Sequence, residues 1–191
     1  MAAATLKKIA SNIPMPEPIN PIQANAINKR YSFADDGIFP NSALPLLAYA
    51  QAHHPSDTDL TRFFERRFTA NGWPAAWHNG VYAFHHYHSS AHEVLGICSG
   101  RARLKMGGPS GMILEVSAGD VIVIPAGVAH KRIDASADFL VVGAYPRGQR
   151  WDMNDGSAGE RPGTDQNIRR VPLPSADPLE GVSGTLIQAW F

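Results

Sequence analysis

The sequence predicts an all-β domain, an antiparallel barrel or sandwich, with a candidate site on one strand. Between Val81 and Tyr145, short apolar runs alternate with turn residues such as Ser-Gly, Gly-Gly-Pro-Ser-Gly and Pro-Ala-Gly. Closely spaced short strands with such turns are typical of these folds. Several runs, among them DVIVIP and FLVVGAY, are apolar on both faces and need cover on each side. Four of the eight histidines fall within HHYHSSAHE, residues 85–93.

Length and composition indicate one globular domain. The chain has 191 residues, of which 44% are hydrophobic, and this is enough for a sizeable core. Its 17 basic and 17 acidic residues cancel, and no Lys/Arg block stands out. We therefore expect no nucleic-acid partner and no anionic membrane partner. The single Cys98 excludes an internal disulfide framework and favours a reducing compartment.

The N-terminal residues do not resemble a secretory signal. They contain no apolar h-region, and Pro14, Pro16 and Pro18 interrupt them. No apolar run reaches 18 residues, so no transmembrane helix is expected. The sequence therefore predicts a cytoplasmic protein.

The chain divides into three predicted regions. Residues 1–78 form an N-terminal extension, with an arm over 1–30 and one helix near 58–70. In that helix Leu60, Phe63, Phe64 and Phe68 share one face, and Asn71-Gly72 can end it. A shorter turn of helix is expected near 46–49. Residues 79–146 form the barrel core, and the Gly- and Pro-rich 147–191 form a C-terminal strap packed on it.

The histidine cluster has the spacing of a metal site. In a strand, residues two apart share a face about 7 Å apart, so His86 and His88 point the same way. Tyr82 and Phe84 would line the same wall, in packing or in substrate contact. Two imidazoles at this spacing can converge on one ion, with bonds of about 2.1 Å.

Spacing alone leaves the next ligand open. In an unbroken strand His92 would share the face of His86 and His88. If Ser89-Ser90 makes a bend, Glu93 turns inward instead. A further candidate, His130, follows the Pro125-Ala126-Gly127 turn and could return beside the first pair.

Two motifs in this region resemble those of the cupins. The first motif reads G, five residues, HxH, three or four residues, E, six residues, G. Residues 80–100 meet it, and its fixed positions are Gly80, His86, His88, Glu93 and Gly100. The second is G, five residues, PxG, two residues, H, three residues, N. Residues 119–134 meet it except at Asp134, where Asp replaces Asn, and the phrases HHYHSSAHEVLGI and VIPAGVAHK also resemble a YjlB-like bacterial group of cupins.

This resemblance implies a cupin jelly-roll barrel of six to eight strands with one bound divalent transition metal, such as Fe, Mn, Ni or Zn. The family's ligand positions carry over to His86, His88, Glu93 and His130. The resemblance thus favours Glu93 over His92 and implies a bend at Ser89-Ser90. His85 and His92 would then face out of the barrel or lie at its rim.

For function, the sequence leaves three classes open. The first is a metal-dependent enzyme, of dioxygenase or isomerase type, acting on a small polar molecule that could carry a carboxylate. The second is a non-catalytic metal- or ligand-binding module, and the third is an inert barrel. Arg101 and Arg103 would bind a substrate carboxylate if they point inward, or form a solvated face if they do not. Tyr145 could close the cavity mouth, and a homodimer could cover the two-sided apolar strands.

Overall fold

The computed structural model describes residues 28–54 and 56–191, so most of the arm expected over 1–30 lies outside the described residues. Within them the chain forms nine strands and three helices. In chain order these are β1 (Asn28–Tyr31), β2 (Leu46–Tyr49), α1 (Leu60–Ala70), β3 (Ala75–Asn79), β4 (Glu93–Ser99), β5 (Arg101–Met106), β6 (Met112–Ser117), β7 (Val121–Ile124), β8 (His130–Ala135), β9 (Leu140–Ala144), α2 (Gly163–Ile168) and α3 (Thr185–Trp190).

The strands form two antiparallel sheets. The larger has the order β1-β2-β7-β4-β9-β3, and the smaller has the order β6-β5-β8. In the larger sheet β4 lies between β7 and β9, with Glu93 opposite Ile124 and Val94 opposite Ala144. Crossovers between non-consecutive strands place β4 in the middle, as expected for a jelly roll. The predicted all-β jelly-roll barrel is confirmed.

Two apolar clusters lie on opposite faces of the larger sheet. The first lies between the sheets and includes Leu95, Ile97, Leu104 and Ile122. The second, on the outer face, is covered by α1 and α3. It includes Phe64, Phe68, Val94, Val123 and Trp190. Because the chain itself covers both faces of β4, the apolar residues on this strand do not need a second subunit to cover them.

The contact between α1 and β4 depends on a glycine. A Cβ at Gly96 would lie 2.7 Å from the ring of Phe64 and 3.0 Å from that of Phe68, closer than side-chain atoms approach. The predicted helix near 58–70 is confirmed as α1, with Asp59 as N-cap and Asn71 as C-cap. Its buried face is formed by Phe63, Phe64 and Phe68, as the spacing predicts.

The structure differs from the sequence expectations at three places. Residues 46–49 form strand β2, not a turn of helix, because they pair with β1 and β7. β1, β2 and all but the last residue of β3 come before residue 79, so the larger sheet extends beyond the expected 79–146 core. Residues 81–88 form no strand, only isolated bridges at His86 and Tyr87. The division into extension, core and strap stays a prediction.

Among residues 28–54 and 56–191, no helix combines the length and the apolar character that crossing a membrane requires.

A buried carboxylate joins the C-terminal segment to the larger sheet. Asp177 is fully buried, and its Oδ2 accepts hydrogen bonds from the Tyr49 hydroxyl at 2.6 Å and the Leu186 amide at 2.9 Å. Its Oδ1 accepts from the amides of Leu179 at 2.8 Å and Glu180 at 3.0 Å. These bonds fix the turn before α3, which places Trp190 on the sheet.

We expect Asp177→Ala to lower the free energy of unfolding by about 2–4 kcal/mol, because it leaves two buried amides, one partly buried amide and one buried hydroxyl without an acceptor. Tyr49→Phe is the matched control. It removes one of the four bonds and should cost about 1 kcal/mol. Urea titrations followed by circular dichroism measure both. Equal losses for the two variants would show that Asp177 does not anchor the segment.

Candidate metal centre

Three buried histidines meet between the two sheets. His130 begins β8, and its backbone pairs with His86 through N–O distances of 3.1 and 2.8 Å. His88 lies two residues further along the same extended segment. One ring nitrogen from each of the three lies within 4.8 Å of the others. The bridge at His86 is too short to count as a strand, yet it keeps the alternation that puts His86 and His88 on one side and Tyr87 on the other.

Backbone carbonyls fix the orientation of all three rings. The Nδ1 of His86 contacts the Phe84 carbonyl at 3.2 Å, and that of His130 contacts the Val128 carbonyl at 3.1 Å. The Nδ1 of His88 contacts the Asp152 carbonyl. A carbonyl only accepts, so each Nδ1 must carry the proton and donate. In the neutral rings each Nε2 then holds a free lone pair, the form in which histidine binds a metal.

Glu93, the first residue of β4, lies beside these rings. Its Oε2 is 3.5 Å from Nε2 of His88 and 3.4 Å from Nε2 of His130. Glu93 is 2% exposed, and Oε2 is buried without a hydrogen-bond partner. The structure therefore brings the three histidines together and places Glu93 beside His88 and His130. That all four bind a metal, as the resemblance implied, stays a prediction.

The turn before Glu93 is a bend at Ser89-Ser90, as expected. The Asp152 carboxylate holds it by accepting from the Ser89 amide at 2.6 Å, the Ser89 hydroxyl at 2.5 Å and the Ser90 amide at 3.1 Å. This bend shifts the phase of the chain. Glu93 consequently points between the sheets and His92 points to the other side.

The second carboxylate oxygen of Glu93 is held by a tyrosine. The Tyr145 hydroxyl donates to Oε1 at 2.8 Å, and Nε1 of Trp77 donates to the Tyr145 oxygen at 3.0 Å. An indole N–H can only donate, so the tyrosine proton must point to Glu93. A Cβ at Gly143 would lie 2.0 Å from the Trp77 ring, so only glycine leaves room for Trp77 here.

Burial and neighbouring charges shift the pKa values of these groups in different directions. Burial lowers the pKa of His86 to about 3, so this ring is neutral at pH 7. Burial also lowers the pKa of His88, but the Glu93 charge outweighs it and raises that pKa above its usual value. Burial raises the pKa of Glu93, and the charge of His88 reverses this and lowers it below its usual range. The carboxylate is thus ionised inside the fold.

The donor set fits a divalent transition ion. Three imidazole nitrogens and one carboxylate are typical ligands of Fe, Mn, Ni or Zn. The buried Oε2 of Glu93 has no hydrogen-bond partner, which is unusual for a buried polar atom. A bound ion would give this oxygen a partner. The three rings are already held by carbonyls on their far sides.

The four residues lie at the inner end of a cavity of about 150 Å³ that opens to solvent. Tyr82 and Tyr145 also line it, as expected, together with Trp77, Trp151 and Met153. Phe84 is half-exposed and does not line the cavity, but its ring centroid is 5.1 Å from that of Tyr82 and 5.6 Å from that of His86. Tyr145 lies beside Glu93 and is 7% exposed, so it forms part of the wall and does not close the mouth.

The structure does not bring Arg101 and Arg103 to this cavity. Along β5 the residues Ala102, Leu104 and Met106 are buried, and the arginines point from the opposite face into solvent. Arg103 donates from Nε to Asp134 at 2.8 Å on that outer face. Their positions agree with the solvated-face alternative, and neither arginine lies where it could bind a carboxylate in this cavity.

His85 and His92 both lie off the cavity, but neither is a free surface residue. His85 is half-buried, with its ring centroid 5.4 Å from that of Phe39. His92 is 2% exposed, and its Nδ1 accepts from the Ala126 amide at 3.0 Å. Burial lowers the pKa of His92 to about 4. The Trp190 ring of α3 covers it at 4.7 Å between centroids, so His92 faces outward from the barrel yet is not at an open rim.

Sequence reasoning missed several residues of the site, in particular Trp77, Trp151 and Asp152. Trp77 lies on β3, which pairs with β9 and so stands beside Tyr145. Trp151 and Asp152 come from the region expected to be a strap. The pair WD at 151–152, an aromatic and an acid in a Gly- and Pro-rich segment, was the only local signal.

Comparison with known proteins identifies the family. Residues 78–142 match the Cupin family model, a stretch that includes all four positions of the candidate metal centre. A Bacillus subtilis relative, "Uncharacterized protein YjlB", is 41% identical over 161 residues. The match covers 84% of this chain and 94% of that protein.

Solved structures give weaker similarities. A DUF861 family protein from Thermotoga maritima is 19% identical, with a TM-score of 0.30 and coverage of 41% of this chain and 83% of that one. Procruciferin, an 11S globulin from Brassica napus, is 16% identical, with a TM-score of 0.33 and coverage of 67% and 26%. We draw no functional conclusion from scores this low. The family match and the identity to the Bacillus protein show that the chain belongs to the cupins, in their YjlB-like group.

Proposed function

We propose that this cupin binds one divalent transition metal through His86, His88, Glu93 and His130 and uses it as a metal-dependent enzyme on a small molecule. One observation carries the proposal. Three imidazoles with free Nε2 lone pairs meet in a cavity that opens to solvent, and a Glu93 oxygen without a hydrogen-bond partner lies beside two of them. A structural metal site is usually closed by protein ligands, whereas a catalytic one keeps access for a further ligand.

The roles of the protein groups follow from their contacts. When bound, the ion would supply Lewis-acid activation of a ligand oxygen or, for a redox-active metal, electron transfer. The carbonyls of Phe84, Val128 and Asp152 orient the three rings. Tyr145 occupies Oε1 of Glu93 and leaves Oε2 directed at the histidines. Burial raises the pKa of Tyr145, and the Glu93 charge raises it further, so its hydroxyl stays protonated.

The cavity wall favours a dioxygenase-type reaction over an isomerase-type one. Proton-transfer isomerisation needs a general base within reach of the substrate. Among the described residues that line the cavity, the titratable groups other than the four proposed ligands are Tyr82 and Tyr145. No carboxylate or imidazole is left over to serve as a base. The alternative is a binding module without turnover that uses the same four ligands. Ligand-access and oxygen-consumption experiments distinguish it from an enzyme.

We expect His86→Ala, His88→Ala, Glu93→Ala and His130→Ala each to reduce bound metal from about one equivalent per chain to a small fraction, because each removes one of four donors. Elemental analysis of protein purified without an affinity tag or chelator measures this. His85→Ala is the control, since its side chain packs on Phe39 outside the cavity. Full occupancy in any three of the four variants would refute the site.

The same preparation shows whether the bound ion accepts further ligands. With Co²⁺ as the ion, added azide should change the visible spectrum if a coordination position faces the cavity. An unchanged spectrum would indicate a closed site and favour the non-catalytic module. Oxygen consumption with candidate small molecules then separates turnover from binding alone.

Tyr145→Phe should weaken metal binding by roughly 10- to 100-fold, because Glu93 loses the donor that holds its carboxylate. The freed Oε1 can then also reach the ion, so the Co²⁺ spectrum should differ from that of the unmodified protein. Tyr82→Phe is the matched control, since it removes a hydroxyl at the exposed mouth. Identical spectra and affinities in Tyr145→Phe and the unmodified protein would show that Tyr145 only fills space.

We further propose a homodimer, located in the cytoplasm as the lone Cys98 favours. Since α1 and α3 cover the larger sheet, the surface that supports a dimer is the outer face of β6-β5-β8, where Ile113 and Ile133 are 46% and 40% exposed. Light scattering should give twice the mass of 20.7 kDa. Ile113→Glu together with Ile133→Glu should yield a monomer. A monomeric unmodified protein would show that the chain's own cover suffices.

A further inference from the structure

Large apolar side chains surround the mouth of the metal cavity. Tyr82, Phe84, Trp151 and Met153 are 51%, 49%, 48% and 40% exposed. They come from two segments that are far apart in sequence, and we call them the aromatic collar. Clustered exposed apolar groups are uncommon on a monomer unless they meet a ligand or partner. Their position around one opening points to a ligand.

The collar has two aromatic walls, each next to a different histidine. In the first wall the ring centroids of Tyr82 and Phe84 are 5.1 Å apart, and Tyr82 stands 5.2 Å from His86. In the second wall Trp151 stacks on Tyr145 at 6.0 Å, with an interplanar angle of 22°, and lies 5.6 Å from His88. Each wall thus extends from a histidine of the centre outward to solvent. A flat apolar group whose head reaches the histidines would contact both walls.

Charge restricts the ligand further. No Lys or Arg is among the described residues that line the cavity. Arg132 lies behind this lining. Gly80 lines the cavity, and a Cβ added to it would be 3.5 Å from Nη1 of Arg132. A divalent ion with three neutral imidazoles and ionised Glu93 would give the centre a net charge of +1. A ligand with a single negative oxygen balances that charge, whereas a dianion would leave excess charge in an apolar enclosure, at a cost of several kcal/mol.

The cavity volume limits the size of the ligand. At about 150 Å³ it matches the volume that an engineered apolar cavity uses to hold one benzene ring. This leaves room for one small ring or an equivalent branched group beside the ion, with any larger part outside the collar.

Resting on the proposed metal site, we propose that the ligand is a small molecule with a flat apolar or aromatic body and a chelating head of one negative charge. This differs from the small polar molecule with a carboxylate that inward-facing Arg101 and Arg103 would have indicated. Trp151 and Tyr82 recognise the body, and the centre recognises the head.

Hydroxamates provide a direct test, because their head carries one negative charge when it chelates an ion and their body can be changed. With protein whose Zn²⁺ content has been verified, calorimetry should show benzohydroxamate binding about 10- to 100-fold more tightly than acetohydroxamate, the gain expected from burying a phenyl ring. Malonate, a dianion of similar reach, should bind more weakly than either.

Variants locate the effect. Trp151→Ala and Tyr82→Ala should each reduce the preference for the phenyl group several-fold, measured as the ratio of the two hydroxamate affinities on protein whose Zn²⁺ content has been verified. Val182→Ala, an exposed apolar residue outside the collar, should have no effect. Retention of the full preference in both collar variants would overturn the role of the collar.

The outcomes separate this inference from the proposed function. Protein that binds no Zn²⁺ would refute the metal site and this inference with it. Protein with full Zn²⁺ and equal affinities for the two hydroxamates would refute this inference alone. Tighter binding of malonate than of either hydroxamate would overturn the single-charge requirement, and loss of that binding in Arg132→Gln would show that Arg132 supplies the second positive charge.

Discussion

An ionised carboxylate held inside the barrel is the constraint on which the site depends. Taking a charge out of water costs several kcal/mol unless neighbouring groups compensate for it. For Glu93 the compensation comes from Tyr145 at one oxygen and from His88 and His130 at the other. In metal-free protein a proton on His88 can supply part of this compensation, because the Glu93 charge raises the pKa of His88. A bound metal ion would supply the positive charge in place of that proton.

The scaffold that supports this centre draws on nearly the whole described chain. β4 supplies Glu93 and is buried on both faces, so a shift of this strand would disturb two apolar clusters at once. The region expected to be a strap contributes more than cover. Its Asp152 fixes the Ser89-Ser90 bend with its side chain and the ring of His88 with its carbonyl. Asn154 pairs with Tyr87 through N–O distances of 2.8 and 3.1 Å, which holds the strandless segment between the two histidines extended.

Sequence patterns predicted the parts of this arrangement that depend on local geometry. The strands from β4 to β9 follow the apolar runs closely, and HxH spacing placed His86 and His88 together because even an isolated bridge alternates its side chains. Alternation in RARLKM already favoured outward arginines, since Ala102, Leu104 and Met106 form the apolar set. By contrast, the contacts of Trp77, Trp151 and Asp152 join segments far apart in sequence, and no periodicity reports such contacts. The choice of Glu93 over His92 came from the family resemblance, because a bend of two serines shifts the phase without leaving a pattern.

The hydrogen bonds around the centre also restrict how protons can move there. The Tyr145 proton is committed to Glu93 because Trp77 occupies the hydroxyl oxygen as a donor. The Nδ1 protons of the three histidines are committed to carbonyls. Among the described cavity residues, this leaves Tyr82 at the mouth, half in water, as the titratable side chain whose proton is not held by the site. A ligand that loses a proton on binding must therefore release it through the mouth to solvent. Under the proposed function, the protein's own contribution would be to hold the donors and orient the ligand, which suits chemistry carried by a metal better than chemistry carried by a protein base.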